Sequence, residues 1–119
     1  MTKKQFRQNH PVLQRPVRRF LKKLVSEWPY FFYADALENE FIIELIKCMA
    51  DNISTGYMVK NESRAISLMS QEQIKKAWDT LIAGLQTACA MDGLQNQIRF
   101  DARFNELLAF IEKRLVGGI

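Results

Sequence analysis

The chain has 119 residues, of which 48% are apolar and 25% charged, and its formal net charge is +4. That length suits one compact domain, because two separately stable cores would be hard to build from it. Three Pro and five Gly are too few for a fibrous or low-complexity chain, and the apolar content is too high for global disorder.

The net charge hides a strong asymmetry. Eight of the seventeen basic residues fall within positions 1–26, a stretch without a single Asp or Glu, while the remainder of the chain is mildly acidic. Clustered cations of this kind gain by meeting phosphate, anionic lipid or an acidic protein face. Residues 1–10 show no apolar period and read as a flexible basic tail carrying Lys3, Lys4, Arg7 and the lone His10, with residues 11–119 forming a single helical domain. No continuous apolar core follows the first charges, so a secretory signal peptide is not expected. An acid-free amphipathic leader is compatible with a mitochondrial transit peptide, although the usual serines are missing.

Leu13, Val17, Phe20, Leu21, Leu24 and Trp28 then recur at helical spacing, with Arg15, Arg18, Arg19, Lys22 and Ser26 on the opposite side. This is an amphipathic basic helix that Pro16 can begin and Pro29 is expected to end. Trp28, Tyr30, Phe31, Phe32 and Tyr33 place five aromatics in six positions and are expected to pack at a corner between helices. Asp35 and Glu38 have capping-box spacing and introduce a helix apolar over most of its circumference, from Leu37 through Phe41 and Ile46 to Ile53. It is expected to be the central helix, with Glu40, Glu44, Lys47 and Asp51 as a narrow polar strip and Ser54-Thr55-Gly56 as its stop.

Residues 57–69 read either as an extended connector or as a short helix capped by Asn61, with Ala65, Ile66, Leu68 and Met69 on its buried side. Ser70 and Gln73 form a second capping box, followed by the one-sided stripe of Ile74, Trp78, Leu81, Leu85 and Ala88, and Asp92-Gly93 terminates that helix. Gly84 lies off the centre of the stripe and suggests a close helix approach. Residues 94–100 read as a linker. Asp101 is a plausible cap for a last helix with Phe104, Leu107, Leu108, Ile111 and Leu115 on one face, ending at Gly117-Gly118. No run alternates apolar and polar residues as a half-buried strand would. The expected fold is all-α, a compact bundle or orthogonal array of four long helices plus one possible short helix.

Catalytic and cofactor signatures are lacking. His10 has nothing predictable to orient it as a base, and the glycines at 56, 84, 93, 117 and 118 form neither a Walker-type nor a dinucleotide-type loop. Glu40 and Glu44, one turn apart, are the closest approach to a carboxylate pair and read as an exposed strip. Cys48 and Cys89 lack any metal-ligand spacing and read as small buried hydrophobes of a reducing compartment, which points to the cytoplasm. No stretch approaches the roughly 18 consecutive apolar residues of a membrane span. The expectation is a non-enzymatic protein without cofactor or metal.

The basic leader therefore carries the functional expectation, which is RNA or DNA binding by a regulatory or accessory protein, alone or as a small subunit of a nucleoprotein assembly. Lys3, Lys4, Arg7, Arg15, Arg18, Arg19, Lys22 and Lys23 are the phosphate contacts, and Lys75, Lys76, Arg99 and Arg103 extend the patch if the fold gathers them. The alternative is a protein–protein adaptor or inhibitor in which the arm or the acidic body meets a protein partner or a second copy of the chain. A third reading lays the amphipathic helix 12–28 on an anionic membrane surface. It conflicts with the need for the same apolar face in a small core.

Overall fold

A computed structural model of the protein describes residues 13–31, 35–50 and 64–117, without the side chains of residues 30, 31, 64 and 117. Within them are six α-helices, which we number α1 (Arg15–Phe31), α2 (Ala36–Ala50), α3 (Arg64–Leu68), α4 (Gln71–Met91), α5 (Gln95–Arg99) and α6 (Ala102–Ile111), followed by a π-helical turn, Glu112–Gly117. Strands are absent among the described residues. The fold is all-α, with four long helices.

The local signals act where the sequence places them. Asp35 Oδ1 accepts the Glu38 amide at 2.8 Å and so caps α2. Ser70 and Gln73 make both bonds of a reciprocal capping box at the start of α4. Gly93, at φ +66°, takes the left-handed conformation that closes α4. Three boundaries differ from the sequence reading. Pro29 lies inside α1, which runs two residues further: so near the end of a helix the lost N–H bond and the crowding of the ring disturb only the last turn. Residues 95–99 of the expected linker form the short helix α5, held by Leu94 and Ile98 one turn apart and half-buried. After Ile111 the winding widens to a π-turn, and the Gln71 side-chain amide donates at 2.6 Å to the Leu115 carbonyl, a group that the end of a helix leaves without a partner.

Packing makes α2 the centre, as its apolar circumference requires. It contacts α1, α3 and α4, and Phe41, Ile42, Leu45, Ile46 and Met49 are completely buried. Residue Leu68 departs from its expected place. The chain turns from α3 into α4 at Met69-Ser70, Met69 fills the buried position, and Leu68 is carried outward to 58% exposure. Gly84 is buried on α4. The expected stops and caps at Ser54-Thr55-Gly56 and Asn61, and the aromatic positions 32 and 33, lie outside the described residues. The radius of gyration, 14.2 Å, is near the ~13–14 Å of a folded chain of this length.

Candidate nucleic-acid interface

Helix α1 owes its two faces to the sequence period. Leu13, Val17, Phe20, Leu21, Leu24 and Trp28 are all buried against the body, and Trp28 is tied down further by its indole N–H, which donates to Asn39 Oδ1 at 3.1 Å. With that face committed to the core, Arg15, Arg18, Arg19, Lys22 and Lys23 must point outward, and all five are exposed. Among the described residues, Arg15, Arg18, Arg19 and Lys22 make no ion pair, in keeping with the absence of any acid from positions 1–26. Lys23 differs, lying 3.5 Å from Asp92 at the end of α4. The tail residues Lys3, Lys4, Arg7 and His10 lie outside the described residues.

The start of α1 is held by a residue read in sequence only as a helix cap. Asp101 is completely buried; its Oδ1 accepts the Phe104 amide at 2.9 Å and its Oδ2 the Gln14 amide at 2.7 Å. One carboxylate therefore caps α6 and supplies a partner to an N–H just ahead of α1, 87 positions away in sequence. The cap spacing is visible in the sequence. The second bond is not, because nothing local marks Gln14 as its donor.

Beside the basic face runs a groove. Its first part, about 320 Å³, is bordered by Arg15, Arg19 and Lys23, which follow one another at single-turn spacing, and by Pro16, Phe20, Asp92 and Leu94. It shares Phe20, Lys23 and Asp92 with a second part of about 260 Å³ between α1 and α4, where Leu24, Ala88 and the exposed Met91 form apolar walls and Glu27 and Thr87 add polar groups.

The secondary cations are not gathered with one another. Lys75 and Lys76 belong to the first turns of α4, whereas Arg99 faces a cavity that α4 lines with residues 82–89, roughly 10–21 Å further along the helix. Each also has local company. Lys75 lies 3.9 Å from Asp79, Lys76 3.5 Å from the buried Glu38, and Arg103 2.8 Å from Glu106, while the Arg99 guanidinium sits over the Phe100 ring at 5.4 Å. The sequence reading of a single extended patch thus meets a fold that separates its members.

The carboxylates of α2 are less exposed than their pattern suggests. Glu40 and Glu44 are half-buried, and Glu40 Oε2 is buried without a hydrogen-bond partner among the described residues. They do not assemble a metal site: among the described residues no group of three or more His, Cys, Asp or Glu is placed to hold a metal ion. Cys48 and Cys89 are buried and not joined in a disulfide. Burial, reinforced by the Asp92 carboxylate, pushes the Cys89 thiol above the ordinary range. No described helix is long and apolar enough to cross a membrane.

Comparison of the chain with protein-family models, with curated proteins and with solved structures finds no match.

Proposed function

We propose that the protein is a non-enzymatic regulatory or accessory protein that binds RNA or DNA through its basic N-terminal region, alone or as a small subunit of a nucleoprotein assembly. The observation that carries this reading is the outer face of α1, where Arg15, Arg18, Arg19 and Lys22 are exposed on a helix locked into the core and meet no acid among the described residues. Fixed cations without internal partners bind phosphate well, because the salt they release on binding is the main driving force and no intramolecular ion pair has to be broken first. The same geometry argues against the membrane reading. Phe20, Leu24 and Trp28 are buried in the body, so inserting them in lipid would require α1 to leave the core.

The test is nucleic-acid affinity measured against salt concentration, for the protein and for a variant with Arg15, Arg18, Arg19 and Lys22 all changed to Gln. Each lost phosphate contact lowers the slope of log affinity against log salt by about 0.7–0.9, so the fourfold variant is expected to flatten it by about 3. A wild-type slope near zero, or no binding at low salt, sinks the reading. Partner protein that stays bound after nuclease treatment, with no nucleic-acid affinity, would favour the adaptor alternative instead.

A further inference from the structure

We propose that the nucleic acid bound is single-stranded, with unpaired bases entering the groove beside α1 and one base stacking on Phe100. This rests on the nucleic-acid reading above and adds to it the class of ligand. Phe100 is 69% exposed, an unusual position for a phenylalanine, and the Arg99 guanidinium lies over its ring at 5.4 Å. It is also well placed. The next residue, Asp101, is the buried carboxylate bonded to the Gln14 amide at 2.7 Å, so Phe100 adjoins in the chain the joint that seats the start of α1. An exposed aromatic with an arginine across it, beside cations that follow a backbone, is the combination used to bind single strands, since every base has a π-face.

The groove supports the same ligand class. Its cations Arg15, Arg19 and Lys23 run along one edge, while Phe20, Leu24, Leu94 and Met91 line its walls. Phosphates suit that edge but not the interior, which holds Asp92 and Glu27. A base suits the interior, because its faces are apolar and an exocyclic amino group donates to a carboxylate such as that of Glu27, Asp92 being already paired with Lys23. In a duplex those faces are stacked on neighbouring base pairs and cannot meet an aromatic ring or apolar walls, and what the duplex presents is its phosphates and the edges of its bases. An unpaired strand can satisfy both the edge and the interior.

The test compares two labelled probes in the same salt series: an oligodeoxycytidylate strand of roughly 15 nucleotides, whose bases carry exocyclic amino groups and which lies within the usual footprint of single-strand binders, and a blunt duplex with the same number of phosphates. The single strand is expected to bind more tightly. Phe100→Ala, a change at an exposed position checked for folding by circular dichroism, is expected to weaken single-strand binding about 5- to 150-fold and leave duplex binding and both salt slopes unchanged. Phe100→Trp should restore the single-strand affinity. Equal or tighter binding of the duplex, or a Phe100→Ala variant that weakens both probes alike or neither, overturns the single-strand inference while leaving salt-dependent nucleic-acid binding intact. Failure of both probes at low salt overturns the nucleic-acid reading and this inference with it.

Discussion

The cations of α1 and those of residues 64–117 are the same residue types in different company. On α1, Arg15, Arg18, Arg19 and Lys22 make no ion pair among the described residues, whereas Lys75, Lys76 and Arg103 each face a carboxylate and Arg99 and Arg114 lie over phenylalanine rings at 5.4 Å. The contrast originates in the local sequence. Where acids are interspersed, a cation can find one within a helical turn, as Lys75 finds Asp79 and Arg103 finds Glu106; Arg15, Arg18 and Arg19 have no acid within a turn and can be neutralised only from another part of the fold or from another molecule. Among the described residues, Lys23 alone of the α1 cations has found such a remote partner, Asp92. Charge density alone therefore does not mark a binding face, and the number of cations without an internal partner is the better guide.

That comparison would be broken most severely if α1 proved not to belong to the core. Trp28→Ala is expected to cost about 4 kcal/mol in urea denaturation, because a fully buried indole and its hydrogen bond to Asn39 are lost together. A cost below about 1 kcal/mol would mean that the helix is a loosely attached arm, with its inner face open to other uses. Next comes the joint that seats the helix. Asp101→Ala removes the cap of α6 and the acceptor of the Gln14 amide, and a loss of about 2–3 kcal/mol is expected by the same measurement. A loss no larger than that of an ordinary helix cap, about 1 kcal/mol, would show that the bond to Gln14 adds nothing.

The smallest effect sharpens the comparison most directly. Lys76→Gln deprives the buried Glu38 carboxylate of its cation and is expected to cost about 1 kcal/mol, moderated by the exposure of the lysine itself. Lys22→Gln, which breaks no pair, should change stability by less than about 0.5 kcal/mol. In nucleic-acid binding the order is expected to reverse, with Lys22→Gln lowering the salt slope by about 0.7–0.9 and Lys76→Gln leaving it unchanged. Equal effects of the two variants in both measurements would remove the distinction between structural and contact cations.

Much of this molecule is written locally. The apolar period of α1, the capping residues Asp35, Ser70 and Asp101, the left-handed stop at Gly93 and the nearly all-round apolar surface of α2 are short-range patterns, and each acts where the sequence puts it. Short-range rules were less reliable at the margins. Pro29 did not end α1, because a proline in the last turn disturbs only that turn. The short helix α5 was hidden because five residues carry too few apolar positions to show a period. Phe100 was likewise legible only as the end of a linker, since exposure is a property of the packed chain.

By itself the sequence determined that the protein is helical, that the helix carrying Arg15–Lys23 has one apolar and one basic face, and that Arg15, Arg18 and Arg19 lack acids nearby in the chain, since all three depend on spacing within a few turns. Only the tertiary structure decided which cations remain available, through contacts between residues far apart in sequence: Asp92 reaches Lys23, Glu38 reaches Lys76, and Asp101 seats the start of α1 through Gln14. It also decided that Lys75 and Lys76 lie apart from Arg99 and that Phe100 is exposed, because the direction in which helices cross and the place where a side chain emerges depend on how the whole apolar surface is buried.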